Sequence, residues 1–330
     1  MTENKITVEG KAGIKATILK HSESIPSGKQ LVTFEIEYPR IILSELNTHR
    51  MLSKNSASSR AIPFNKMLES LKGRPVRFGQ ANPGMQDKGK DFDAEVVVPG
   101  TDLCDGNGPL LVGAERAWNA ARCDAIEWAG NFYKAGYHKQ VYNRLLEPFQ
   151  MMKTVISGTE WANFYWLRNH EAADPTLQEL ARCMQEAHEN SVPYALHPGE
   201  WHLPYVTFEV GVYSIEGQVL TLEEAKKVSA ARCAAVSFRN TDYTLEKSLQ
   251  VFERFVGDER KHASAFEHQA TPMNEVGYCS TSNAAVNLPF APSTWQDGIS
   301  HVDKNGQLWS GNFCGWIQHR KLIDGENIPG

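Results

Sequence analysis

The chain lacks an excess of positive charge. Its 34 Lys and Arg are set against 39 Asp and Glu, for a formal net charge of −5, and no basic tail or long basic run departs from that balance. This argues against a general nucleic-acid binder, which draws its affinity from clustered cations. No apolar run is long enough to cross a bilayer, and the first residues contain no signal-peptide core, so neither membrane insertion nor secretion is expected and a cytoplasmic location is. Cysteine is sparse. Cys104, Cys123, Cys183, Cys233, Cys279 and Cys314 include no C-x-x-C pair, which excludes a disulfide framework and a cysteine-type zinc site and leaves reduced, mostly buried thiols. Repeats and low-complexity segments are absent too. What is present is 330 residues, 41% of them apolar, enough to bury a sizeable core.

Val32, Phe34, Ile36 and Tyr38 alternate with Thr33, Glu35 and Glu37, the pattern of a half-buried strand. Pro39 ends it and suits the first turn of a helix. Ile42, Leu43 and Leu46 give that helix an apolar stripe and carry His49 and Arg50 to its far end. Gly, Pro and Asp accumulate over 73–107, around one Val96-Val97-Val98 run, which predicts an insertion or surface loop. Helices are predicted over about 111–135, 141–146 and 160–168, and from the Asp174-Pro175 cap to Glu189. Residues 203–213 read as a strand. Thr221 and Glu224 form a capping box for a helix through Ala235, and 245–256 is a further amphipathic helix. After Thr271 the sequence turns irregular. Separated strands and long helices together predict an α+β fold.

The stretch from Thr48 to Arg60 holds the most chemistry. Two cationic residue types, His49 and Arg50, end an apolar helix; Ser and Asn residues follow; Arg60 closes the stretch. Such a segment can present donors to a phosphate-bearing ligand, with Ser58, Ser59 and their backbone N–H groups beside Arg60. Ser58 could also be read as a nucleophile, but no neighbouring base activates it, and phosphate binding is the better reading. His197-Pro198-Gly199-Glu200-Trp201-His202 has metal-ligand residue types, yet Pro198 and Gly199 break the helix that a His-x-x-x-His site would use, so no metal is expected.

Thr48-His49-Arg50 followed by Ser58 is similar to the Arg-His-Arg, seven residues, Ser signature of the flavin-dependent thymidylate synthases (ThyX). Asn55 and Arg60 fall where that family carries Asn and Arg. Three other pieces resemble the family. Asn143-Arg144-Leu145-Leu146-Glu147-Pro148 is similar to its Arg-x-x-Leu-Pro. Asn163-Phe164-Tyr165-Trp166-Leu167-Arg168 is similar to Asn-Phe-Leu-Asn-Leu-Arg, with 173–181 matching the helix after it. Ala234-Ala235-Val236-Ser237 and the segment from His262 to His268 resemble Ala-Ala-Arg-Val-Ser and His-x-Ser/Thr-Pro-Phe-Glu-His, which in the family come ahead of the signature. The order here resembles a circular permutation, of a phage type, covering roughly 31–60, 111–181 and 229–271.

The resemblance implies a ThyX-like fold, an antiparallel sheet with long helices. It implies one catalytic domain over 1–330, with an insertion at 73–107 and an unassigned tail at 272–330. It implies reductive methylation of dUMP to dTMP with FAD as cofactor and NADPH and methylenetetrahydrofolate as co-substrates. Arg60, Arg144, Ser58 and Ser59 would hold the nucleotide phosphate, Arg168 the pyrimidine edge as the catalytic cation, and Glu45 the substrate side of the signature. His49, Arg50, Asn55, Ser56, Asn163, Ser237, His262, Ser264 and Glu267 would contact the flavin. A homotetramer sharing arginines between chains, in the cytoplasm of a cell or of a phage-infected host, completes the expectation. The departures are Thr48 and Thr159, each where the family has Arg, together with Glu45, Ser56, Ser157 and Ala265. Lys54 and Arg232 are the candidates to restore the lost charge. These departures keep two alternatives open: a flavin-dependent hydroxymethylase of dUMP or dCMP, and a non-catalytic nucleotide-binding protein.

Overall fold

A computed structural model describes residues 6–84, 86–87, 89, 91–101, 108–239, 244–256, 263–274 and 295–326. Its architecture is mixed α+β. Six strands form the principal sheet: β1 (Thr7–Glu9), β2 (Lys15–Ser24), β3 (Gln30–Pro39), β4 (Ser53–Ser56), β5 (Met151–Gly158) and β6 (Tyr194–Leu196). They lie in the order β1-β2-β3-β5-β4, all antiparallel, with β6 added in parallel on β2. The expected strand of alternating residues is β3, at the centre.

The alternation in β3 divides the sheet into two unlike faces, because residues directly across a ladder share a face. Phe34 pairs with Ile18 on one side and Ile156 on the other, and Tyr38 pairs with Met152. This face is apolar. It packs on helix α1 (Pro175–Glu189), which buries Leu177, Leu180, Ala181, Met184 and Ala187 at helical spacing. Asp174 caps α1 by accepting from the N–H groups of Thr176 (2.8 Å) and Leu177 (3.0 Å). On the opposite face Thr33 lies between Lys20 and Ser157, Glu35 between Thr17 and Val155, and Glu37 between Lys15 and Lys153. That polar face is covered by the chain around His202 to Val206, by helix α2 (Leu222–Ala235) and by the segments 263–274 and 308–320.

Pro39 does stop β3, and a 3-10 turn (Arg40–Ile42) leads into a short helix, Leu43–Asn47, capped at its C-terminus by Thr48. His49 and Arg50 therefore sit just past a helix end. The capping box at Thr221 and the helix Leu245–Val256 are present as expected, as is the helix Ala162–Arg168.

Three expectations are corrected. The long helix starts at Ala114, because Leu111–Val112 pairs with Val96–Val97 as a small ribbon and Gly113 caps the helix. The predicted strand over 203–213 is a hairpin of Thr207–Glu209 with Val212–Ile215. Its two-residue turn holds Val210 and Gly211 at φ of 50° and 79°, the left-handed pair that a type I′ turn demands. Valine is a poor signal for such a turn, which is why the break is hidden in the sequence. The 73–107 stretch, expected as an insertion or surface loop, is tied down at its start, where Val76 N–H donates to Thr176 Oγ1 (3.1 Å) and Trp118 Nε1 donates to the Gly73 carbonyl (3.0 Å). The tail has regular structure too. Trp316–Gln318 pairs with Ala270–Pro272, and His301–Val302, Leu308–Ser310 and Phe313–Cys314 form a three-stranded ribbon.

Among the described residues no helix is long and apolar enough to cross a membrane. Cys183, Cys233 and Cys314 are free and buried, and Cys123 is free and exposed. Cys104 and Cys279 lie outside the described residues, as does His262.

Candidate functional site

After Thr48 the chain makes a tight turn and runs out along the sheet edge as β4. Lys54 fixes the turn: its Nζ donates to the carbonyls of His49 (2.6 Å) and Leu52 (2.9 Å). Arg168, the last residue of the Ala162–Arg168 helix, reaches across. Its Nε donates to His49 Nε2 (2.8 Å) and its Nη2 to Thr48 Oγ1 (3.2 Å). The ring of Phe164, one turn earlier on that helix, meets the His49 ring edge to face at 4.9 Å.

These contacts settle the state of His49. A guanidinium keeps its protons, so His49 Nε2 accepts and the imidazole is neutral, with its proton on Nδ1. Burial, reinforced by the charges of Arg168 and Lys54, pushes the His49 pKa down to about 4, in agreement with that assignment. Burial also lowers the Lys54 amine to about 8, against the opposing pull of Glu267.

Farther along, the edge strand is joined to chain more than 170 residues away. Asn55 Nδ2 donates to the Ser264 carbonyl (3.3 Å), a separation of 209 residues, and the Ser58 N–H donates to the Ser237 carbonyl (3.0 Å). The 58–62 turn is held from the other side. Asn143 Nδ2 donates to the carbonyls of Ser59 (2.8 Å) and Ile62 (3.0 Å). Ser59 Oγ donates to Glu147 (2.5 Å), which also pairs with Arg40 at 3.0 Å. The signature thus meets all three of the other singled-out segments.

Not every predicted site residue keeps its expected part. Ser59 is buried with its hydroxyl bound to Glu147, and the Ser58 N–H is bound to Ser237, so neither group is open to a phosphate. Ser56 Oγ accepts from Thr154 (2.9 Å) and belongs to the sheet. The carboxylate of Glu45 accepts from its neighbour Ser44 (2.7 Å). Arg50, Arg60, Arg144 and Asn163 are exposed; among the described residues none of their side chains makes a hydrogen bond or ion pair. Arg144 adjoins the Asn143 that holds the 58–62 turn. Arg232 pairs with Glu216 at 3.0 Å in the hairpin region, whereas Lys54 is at His49 itself.

The tail supplies residues with no signal in the sequence. Asn312 Nδ2 donates to the Met51 carbonyl (3.0 Å) and bonds Ser53. Gln318 Nε2 donates to the Glu267 carbonyl (3.0 Å) and reaches Ser53 Oγ (3.3 Å). Arg320 forms an ion pair with the Glu267 carboxylate. Thr159 Oγ1 accepts from the Cys314 N–H (3.1 Å), so that position anchors the tail. Below these contacts a buried chain of hydrogen bonds crosses the polar face. It runs from Ser22 to His202 Nδ1 (2.9 Å), from His202 Nε2 to Thr33 (2.8 Å), on to Ser157 (2.6 Å), and then to His268 Nδ1 (2.8 Å). Burial pushes the His268 pKa down to about 3 and that of His202 well below the usual range. His202 is therefore a neutral link in this chain, which accounts for one half of the His197…His202 pair. Among the described residues no three metal-ligating side chains gather.

No protein-family model and no curated protein matches the chain.

Proposed function

We propose that the chain is a circularly permuted flavin-dependent thymidylate synthase that converts dUMP to dTMP, with FAD as its cofactor and NADPH and methylenetetrahydrofolate as co-substrates. One observation supports this above the rest. Three segments that resemble the family, scattered in the sequence, are each hydrogen-bonded to the 48–60 signature, through Asn55–Ser264 and Ser58–Ser237, His49–Arg168 and Asn143–Ser59.

The donor set suits phosphate-bearing ligands. Arg60 and Arg144 offer guanidinium forks to a dianion, at roughly 1.5–3 kcal/mol for each charge-assisted bond. Flavin, when bound, supplies the hydride of the reductive step. Arg168 has five N–H donors and uses two of them on His49 and Thr48. The rest can face a pyrimidine carbonyl and stabilise the negative charge that builds there as C5 becomes nucleophilic. His49, held neutral, keeps Nδ1–H as a donor. A homotetramer belongs to the same proposal; Trp128 and Trp166 are 65% and 75% exposed and offer apolar surface for it. Light scattering that shows a monomer would remove that part.

The test is reconstitution with FAD, a visible spectrum, and an assay of dUMP with methylenetetrahydrofolate and NADPH, read by product mass. A protein that binds no flavin sinks the proposal. A second reading, hydroxymethylation of dUMP or dCMP, is favoured by Thr48 and Thr159. Thr48 accepts from Arg168 and Thr159 from the tail, where the family carries arginine. An additional oxygen in the product mass selects it.

A further inference from the structure

We propose that Lys54 is the cation that seats the anionic group of a phosphate-bearing ligand beside His49, in place of the positive charge absent at Thr48. The inference rests on the ligand class proposed above but not on the reaction.

Lys54 lies in the tight turn itself, its Nζ 2.6 Å from the carbonyl of His49. An ammonium has three donors. Two are accounted for by the His49 and Leu52 carbonyls, and the third has no partner among the described residues. Neutral carbonyls do not cancel its charge. Two charged groups act at this amine or its immediate partners, Arg168 and Glu267, and a third, Arg320, acts through Glu267. Arg168, from the Ala162–Arg168 helix, is a second cation at His49. Glu267 is the carboxylate whose charge reaches Lys54, and Arg320 of the tail already pairs with Glu267. His49, the remaining titratable neighbour, is neutral. Lys54 and Arg168 thus bring two cations to the turn, and the carboxylate that reaches Lys54 is already ion-paired with Arg320. A half-buried site with such a surplus is completed by an anion from outside the chain. Burial lowers the amine pKa to about 8 against the pull of Glu267, which makes the seat titratable.

Two ligands could supply the anion, the phosphate of the nucleotide or the diphosphate of the flavin, and separate measurements distinguish them. Affinities for dUMP and for FAD are measured from about pH 7 to about pH 9.5, where a phosphate monoester is already fully charged, for the natural protein, K54R and K54M. Titration of the ligand itself is common to all three, so the ratio between proteins is the readout. Affinity of the natural protein for one of the two ligands is expected to fall about tenfold across that range relative to K54R, whose guanidinium stays charged. K54M is expected to bind about tenfold more weakly at neutral pH and to lose the pH dependence. The ligand that shows the effect is the one whose anion occupies the seat. A constant ratio to K54R for both ligands overturns the proposal, as does K54M binding both as well as the natural protein. If the ratio moves and no turnover is found, the seat stands and the thymidylate synthase reading fails. If turnover is found and the ratio stays constant, the synthase reading stands and the seat fails.

Discussion

The two faces of the principal sheet are built on opposite principles. One face carries Phe34, Ile36, Tyr38, Met152 and Ile156 against the apolar stripe of α1. It needs only hydrophobicity of about the right volume. The other carries Thr33, Ser157, Ser22 and Ser53 against His202, His268, Gln318 and Asn312. There the polar atoms satisfy one another, with His268 Nε2 left without a partner among the described residues, and each missing partner is costly. The apolar face is adaptable, and only its sequence signal is local. The polar face is specific and draws on chain from residue 22 to residue 320. The candidate site lies at the strand edge where these two layers end.

Breaking the apolar face should have the largest effect. Phe34 is fully buried, and Phe34→Ala is expected to cost about 3–5 kcal/mol in urea unfolding. A loss below about 1 kcal/mol would show that this face is not the main source of stability.

Acid should break the polar face next. His202 and His268 are neutral and fully buried, with pKa values lowered in the folded state. The unfolded chain binds protons on them first, so stability is full above about pH 6.5 and declines as pH falls toward their folded pKa values. Each contributes up to about 1.4 kcal/mol per pH unit in that window. His268→Asn should reduce the slope of unfolding free energy against pH between about 6 and 4; an unchanged slope would mean that His268 is charged or solvated in the fold.

Thr33→Val keeps the shape and removes the hydroxyl between His202 and Ser157. It should cost about 1–3 kcal/mol, and Thr33→Ser should restore most of this. Equal stability of all three proteins would reduce the chain of hydrogen bonds to a bystander. Asn312→Ala is the mildest change. It frees the Met51 carbonyl, leaves Ser53 with only its Gln318 bond and should cost about 1 kcal/mol of stability, while weakening ligand binding through a looser 51–54 turn. Unaltered binding would separate the tail from the site.

The apolar face was legible because period-2 alternation and a Pro39 stop are local signals, and α1 was legible from Asp174-Pro175 and its stripe. The same holds for the capping box at Thr221. The signature was legible as a cluster of donors, and Arg168 as its companion by resemblance. The roles of Ser56 and Ser59 were not, because a serine in sequence does not reveal whether its hydroxyl faces a ligand or a neighbouring strand. Thr154 and Glu147 decide that, and they lie about 90 residues or more away. Asn312, Gln318 and Arg320 were hidden for the same reason: hydrogen-bond partners chosen by tertiary structure leave no periodicity. The hairpin at Val210 escaped because its residue type argues against the backbone it adopts.

Ser53 bonds Asn312 across 259 residues of chain. At roughly 5–20 residues per second of synthesis, that separation is about 13–52 s. During this interval the edge strand has been made and the tail that covers its polar face has not. An uncovered edge strand is a template for pairing with other chains, so until the tail is made the nascent protein is open to misassociation at the strand that carries the candidate site.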